Sequence, residues 1–431
     1  MKTKQLLFIL SILLVASCKK ETQNVNYSQE ISVTVEPGFL GDDVDCLLFF
    51  SEPSSSEVLW FTSVKNGDSF QIALDKKRDS MYYNFSVLQM LDNNQGKIAF
   101  FEIDTYTHMK QDKIVLGAFD RSAWNSSSLT AESEYQEIEY DFATKEDGLS
   151  YSLNGFQYSG YGETREMVHS VLPFRDPFNL FFAAIPEGKQ EWHYGYVTDL
   201  RVGEGIKIEE NMLTGRLADR RGVAVPAPFD SIKYGISGVR HLGNNEYHLY
   251  PELLGTGLSG RGGIASQIPI FEPSDVFQSF FSNMVLDDGQ KSHLISQHQE
   301  TVLDAYQPQL TDISYEHDGR ELQINSSEAG LAMSVARLRS ATNPDIALKP
   351  IRWYIYSPPN VKVLIPDIPI FQEEIFENGT ENYSLYQCDI RKDTRYRNYE
   401  EFLRKELQTP DHFTNYYGTY FQREDLRLFA D

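Results

Sequence analysis

Four short blocks of this chain occur twice, in the same order and at growing separation. Leu48-Phe49-Phe50 returns as Leu180-Phe181-Phe182, and Trp60 as Trp192, both 132 residues on. Gly67-Asp68-Ser69-Phe70-Gln71-Ile72 returns as Gly203-Glu204-Gly205-Ile206-Lys207-Ile208, 136 residues on. Asp79-Ser80-Met81-Tyr82-Tyr83-Asn84-Phe85-Ser86 returns as Asp230-Ser231-Ile232-Lys233-Tyr234-Gly235-Ile236-Ser237 after 151, and Leu91 with Asn93-Asn94 as Leu242 with Asn244-Asn245 at that same distance. Preserved order with widening gaps describes one module duplicated, with insertions in the second copy. Within the blocks Phe70, Ile72 and Leu74 alternate with Ser69, Gln71 and Ala73, and Met81, Tyr83, Phe85 and Val87 alternate with Tyr82, Asn84 and Ser86. A period of two is that of a half-buried strand. Gly67, Asn93-Asn94 and Gly96 separate the strands as turns. Short strands broken by turns roughly every 8–12 residues predict antiparallel sandwiches.

Composition agrees. Of 431 residues, 41% are hydrophobic and 23% charged, which excludes wholesale disorder, and the 27 Phe and 25 Tyr favour strands. The expected class is mainly β: tandem antiparallel β-sandwich domains with a few short helices. One module spans 30–150 and its insertion-bearing repeat 151–306. A third β-rich domain over 307–386 follows from the Asp318-Gly319 turn, Leu322, Ile324, Met333-Ser334-Val335, Trp353-Tyr354-Ile355-Tyr356 and Val361-Lys362-Val363-Leu364-Ile365, with Pro366 and Pro369 ending the pairing. Residues 387–431 form a C-terminal segment with a helix, Asn398 capping Tyr399–Leu407. A second helix is expected where Ser274-Asp275 precede Val276, Phe277, Phe280, Phe281 and Met284 at helical spacing.

A tryptophan on an early strand followed by Asp-x-x-x-Tyr-x-Φ resembles the immunoglobulin-type core, in which the tyrosine folds back to the backbone at a strand corner. The resemblance puts Tyr83 and Tyr234 at that corner, with Phe85 and Ile236 where an antibody domain has its second cysteine. The succession Gly-acid-x-Φ-x-Ile, then Tyr-x-Φ, is also similar to transthyretin-like regulatory modules. Both implied folds are β-sandwiches.

The first 18 residues, MKTKQLLFILSILLVASC, place two lysines before an apolar run from Leu6 to Ala16. The run is too short for a permanent membrane helix and reads as a secretory signal over residues 1–17. Val15-Ala16-Ser17-Cys18 resembles the bacterial lipobox. That resemblance implies a diacylglycerol on the Cys18 sulfur, cleavage before Cys18 and acylation of the new amino terminus. Several acyl chains anchor stably where one does not. Lys19, rather than an aspartate, follows the cysteine, which under the lipoprotein sorting rule implies the outer membrane, in either leaflet. Residues 18–29 form a polar lipidated tether reaching at most ~35 Å.

The formal charge is −23, with 39 Lys plus Arg against 62 Asp plus Glu. Such a surface repels phosphate backbones, and the densest basic run, Arg391, Lys392, Arg395 and Arg397, is interrupted by Asp389 and Asp393, so no nucleic-acid partner is expected. Three cysteines argue against a disulfide scaffold or a cysteine zinc site. Cys46, inside Cys46-Leu47-Leu48-Phe49-Phe50, reads as a small buried hydrophobe; a bridge to Cys388 has no positive sign.

Catalytic signatures are sparse. Gly255-Thr256-Gly257-Leu258-Ser259-Gly260 matches a dinucleotide fingerprint literally, but Arg261-Gly262-Gly263 cannot start the required helix, so it reads as a glycine-rich loop. No Gly-x-Ser-x-Gly elbow and no His-Glu-x-x-His occurs. Neither His241 with His248 nor His293 with His298 brings a third ligand, and Asp42, Asp43 and Asp45 lack calcium-loop spacing. No catalytic residue, metal or cofactor is expected. Trp192, Tyr194 and Tyr196, in the strip Trp192-His193-Tyr194-Gly195-Tyr196, are the candidates for stacking on a sugar ring. The functional expectation is a lipid-anchored cell-envelope protein with a binding, adhesion or accessory role, including glycan capture, whose partners are the membrane and a polysaccharide or envelope protein. The alternatives are an envelope hydrolase of glycosidase type with an acid pair in an interdomain cleft, and a structural assembly subunit.

Overall fold

In the computed structural model the described residues are 29–40, 44–74, 81–92, 98–117, 136–140, 142, 144–153, 156–158, 168–170, 178–191, 193–201, 205–216, 221–224, 229–243, 246–259, 267–270, 275–303, 305–340, 351–368, 383–408 and 420–430. The lipobox, the tether up to Ser28 and Trp192 lie outside them.

The chain is built from strands. The first part contains β1 (Gln29–Val35), β2 (Asp45–Ser51), β3 (Val58–Val64), β4 (Ser69–Leu74), β5 (Tyr83–Asp92), β6 (Ile98–Met109) and β7 (Lys113–Leu116). The middle contains β8 (Gln136–Tyr140), β9 (Thr144–Leu153), β10 (Phe156–Tyr158), β11 (Val168–Ser170), β12 (Phe178–Pro186), β13 (His193–Leu200), β14 (Ile206–Ile208), β15 (Gly215–Arg216), β16 (Arg221–Ala224), β17 (Ser231–Gly243), β18 (Glu246–Ser259), β19 (Gln267–Ile270), β20 (Ser279–Asp287) and β21 (Lys291–Gln299). The last part contains β22 (Ser314–Asp318), β23 (Glu321–Asn325), β24 (Met333–Ser340), β25 (Ile351–Ser357), β26 (Lys362–Leu364), β27 (Tyr383–Asp393), α1 (Tyr399–Gln408) and β28 (Phe421–Phe429). The class is mainly β, with several antiparallel sheets.

One 12-stranded sheet runs through all three parts in the order β18-β17-β20-β21-β28-β27-β24-β25-β6-β5-β2-β3. The third part sits in the middle of it. Its β28 pairs antiparallel with β21, and its β25 pairs parallel with β6. Smaller sheets cover the faces. On one side β4-β1-β7 and α1 bury Cys46, Leu48, Phe50, Phe85 and Val335; on the other β22-β23-β26 buries Leu47, Phe49, Leu88, Trp353 and Leu338. Cover on both faces explains why β2 is apolar at every position from Cys46 to Phe50, where a half-exposed strand would alternate. Cys46 and Cys388 are buried, free, and in separate cores.

The four repeated blocks fall on β2/β12, β3/β13, β4/β14 and β5/β17, with Trp192 just ahead of β13. Their pairing differs. The second neighbour of β2 is β5, whereas that of β12 is β9, and β17 joins the long sheet beside β20. The third part keeps the first part's topology more closely. β23 pairs β26 antiparallel as β1 pairs β4, and β24 lies between β25 and β27 as β2 lies between β3 and β5. Even the turns agree: the Gly67 amide (φ 86°) donates to Val35 O at 2.8 Å, and the Asn360 amide (φ 62°) donates to Ile324 O at 3.1 Å. Both are left-handed positions that favour Gly or Asn.

Two local expectations fail. The apolar stripe Val276–Met284 is not a helix but a turn holding Val276 and Phe277 that leads into strand β20: Phe280 and Met284 pack on the β12–β13 side with Phe277, while Phe281 turns to the opposite face against Phe421. Phe and Met at mixed spacing satisfy either period, and pairing to β17 and β21 decides it. Gly255–Ser259 is not a loop but the end of β18, paired with β17, an edge where glycine is tolerated. The other helix forms as expected, with Asn398 Oδ1 accepting the Glu401 amide at 3.0 Å as N-cap.

Candidate functional site

Of the stacking candidates, Trp192 lies outside the described residues. Tyr194 and Tyr196 share one face of β13. Tyr194 is buried, and both faces of its ring are taken. Phe181 stacks on it with centroids 5.9 Å apart, and Gly215 lies so close that an added Cβ would sit 2.2 Å from the ring. Its hydroxyl donates to Asp275, and burial, then that bond and charge, hold the phenol well above its ordinary value. Tyr196 is half-buried beneath the Arg240 guanidinium, 4.5 Å from its centroid. Tyr194 therefore serves as core, and a sugar would have to displace packed groups to stack on it.

A different place gathers polar groups. On β6, Glu102, Asp104 and Tyr106 point to one side, opposite Gln89, Val87 and Phe85 of β5. All of these but Phe85, together with Phe39, the end of β7 and Glu406 and Leu407 of α1, line a cavity of about 100 Å³. Two carboxylates thus come from the sheet floor and one from the helix wall. Tyr106 stacks on Tyr356 (5.0 Å, 12°), and burial, then the Asp104 charge, hold both phenols well above their usual range. Both remain protonated and neutral. Glu406 accepts the Tyr396 hydroxyl. The lining is rich in acceptors and contains no cysteine, serine or histidine nucleophile. Among the described residues, no group of three His, Cys, Asp or Glu is placed to hold a metal ion.

Beside the cavity, the same sheet face carries a buried charge lattice. β27 presents Asp389, Arg391 and Asp393 directly opposite Arg427, Asp425 and Arg423 of β28. Each cross-strand pair has opposite charges, the favourable arrangement for facing residues. Asp425, fully buried, accepts from Arg391 Nε at 2.7 Å and Arg423 Nε at 3.0 Å. Asp393 accepts from Arg395 Nη2 at 2.6 Å. Asp389 accepts from Arg337 Nη2 at 2.9 Å and Gln387 Nε2 at 2.6 Å. Thus Arg391 and Arg395, half of the basic run in the sequence, are engaged by buried aspartates and are not a surface patch. His293 and His298 do not converge either: His293 bonds Glu424 and His298 bonds Ser279, while the side chains of His241 and His248 lie outside the described residues.

Sequence reasoning missed both features. The cavity has no linear signature, because its carboxylates come from β6 and α1, some 300 residues apart. The lattice does have one: Asp389-x-Arg391-x-Asp393 and Arg423-x-Asp425-x-Arg427 are complementary at strand period. No protein-family model and no curated protein matches this chain.

Proposed function

We propose that this chain is a lipid-anchored protein of the bacterial cell envelope, at the outer membrane, whose β body has a non-enzymatic binding or accessory role, with glycan capture at the β6 cavity as its specific form. The anchor rests on Val15-Ala16-Ser17-Cys18 behind two lysines and a short apolar run. The lining of the cavity carries the binding reading. Glu102, Asp104, Glu406 and the carbonyl of Gln89 are acceptors for the donors that a sugar's hydroxyls provide. Size chooses between binding modes. Ligand clefts run to roughly 300–1,000 Å³, so about 100 Å³ holds one small end group and not a polymer threaded through.

That Glu406 and Asp104 both line the cavity favours one second reading, a hydrolase that uses them as an acid pair. A glycan array probed with the mature chain and with Asp104→Asn tests both. Capture that the variant weakens tenfold or more (about 1.4 kcal/mol), with the sugar recovered intact, supports binding. Shortened products would transfer the site to hydrolysis, and an array without signal would remove the glycan version. For the anchor, metabolic labelling with a fatty acid should mark the wild-type chain in the membrane fraction. Cys18→Ser should abolish both label and membrane retention; a variant that keeps them would overturn lipidation at Cys18.

A further inference from the structure

Among the described residues, strand β3 ends the 12-stranded sheet. An edge strand offers a row of backbone donors and acceptors, and proteins ordinarily guard such edges with charge, proline or a bulge. Val58-Leu59-Trp60-Phe61-Thr62-Ser63-Val64 has none of the first two over its seven residues, and its ladder with β2 shifts register only at the Ser51 end. Phe61 is 39% exposed on this rim, although its cross-strand neighbour Phe49 is completely buried. The chain carries a formal charge of −23, so an uncharged strand at a rim with no partner strand among the described residues stands out.

The flanks identify the occupant. Glu57 and Lys65, both exposed, lie four residues on either side of Phe61. Antiparallel pairing of β3 with its own copy about Phe61 sets Glu57 against the partner's Lys65, Val58 against the partner's Val64, Leu59 against the partner's Ser63 and Trp60 against the partner's Thr62. The central Phe61 meets the partner's Phe61. Every opposed pair is compatible, whereas an in-register parallel pairing would set Glu57 against the partner's Glu57 and lysine against lysine. A patch that fits itself about a two-fold axis is the requirement for a closed dimer.

We propose that two copies of this chain associate through antiparallel β3 strands centred on Phe61, joining their sheets into one. Full-length chain in non-ionic detergent should sediment as a dimer. Phe61→Cys should form an intermolecular disulfide on mild oxidation several-fold faster than Ser63→Cys. Facing Cβ atoms are ~5 Å apart, whereas Ser63 and the partner's Ser63 are four residues, roughly 13 Å, out of step. Mixing Leu59→Cys with Ser63→Cys chains should restore crosslinking. Cys18 carries the proposed lipid in the full-length chain, and the other native thiols add no background, since Cys46 and Cys388 are 2% and 0% exposed and burial pushes the Cys46 thiol up to about 12. Phe61→Lys, which sets two cations face to face, should give monomers with unchanged circular dichroism. A full-length chain monomeric at all concentrations, or equal crosslinking at 61 and 63, would overturn the proposal.

Discussion

Replacing Asp425 by Asn should destabilise the protein by about 3–5 kcal/mol at pH 7, the cost of leaving buried charge without its partner. The carboxylate is fully buried between Arg391 and Arg423, and these two guanidiniums hold it well below the ordinary range despite the opposing effect of burial. The pH dependence follows from that direction. A native value below the unfolded one means the contribution is complete above the unfolded value of about 4 and is lost as pH falls below it. The gap between wild type and Asp425→Asn in urea unfolding should be widest at pH 6–7 and close steadily below roughly pH 4. Asp389 is equally buried but shifts the other way, because burial outweighs Arg337 and nearby Asp425 adds repulsion. Its raised value favours the protonated form in the fold, a contribution present at low pH and lost as pH rises through the native value. Asp389→Asn should therefore cost under ~1 kcal/mol at pH 7, or even stabilise. Equal losses in the two variants would refute this account of the lattice.

Trp353→Ala should cost about 3–5 kcal/mol, the usual range for emptying a large aromatic site. Trp353 is fully buried on β25, packs edge-on to Tyr383 at 5.3 Å, and donates its indole N–H to Thr105 Oγ1 at 2.9 Å. Thr105 belongs to β6, across the parallel seam, so the bond ties the first part of the chain to the third. Trp353→Phe keeps most of the volume and removes the donor, and should cost about 1–1.5 kcal/mol. Denaturant midpoints of the three proteins give the order directly. An alanine variant within ~1 kcal/mol of wild type would mean the seam is held elsewhere.

Alternation at Phe70–Leu74 is legible as strand because Ser69, Gln71 and Ala73 face solvent. At Tyr83–Val87 both faces are buried, and alternation is legible there because Asn84 and Ser86 are polar, Asn84 Oδ1 accepting the His108 amide at 3.2 Å and the Ser86 hydroxyl bonding Thr105 Oγ1 at 2.8 Å. The run Cys46–Phe50 has no alternation, and what it lacks is the mark of cover on both faces. Similar words stand in β2 and β12, yet the closer topological copy is the third part. There Trp353-Tyr354 stands for Trp60-Phe61 and Tyr383-Ser384-Leu385 for Tyr83-Asn84-Phe85, with little else identical. Tyr83 does bond the backbone, through its hydroxyl to Gln111 O at 2.5 Å, but that carbonyl lies 28 residues downstream and not at a local corner. Pairing between distant strands leaves no local trace. For the same reason Tyr194 looked like a ligand platform from its neighbours in sequence, while Phe181 and Gly215, which cover it, were invisible.

The order of strands in the long sheet differs from the order in which they are made. β6 and β21 emerge early, and their neighbours β25 and β28 arrive only with the third part. A chain emerging amino end first would wait with two raw rims, each a template for mispairing. Assembly then finishes at the middle of the sheet, and a nascent chain halted near residue 310 would be the most aggregation-prone form this protein passes through.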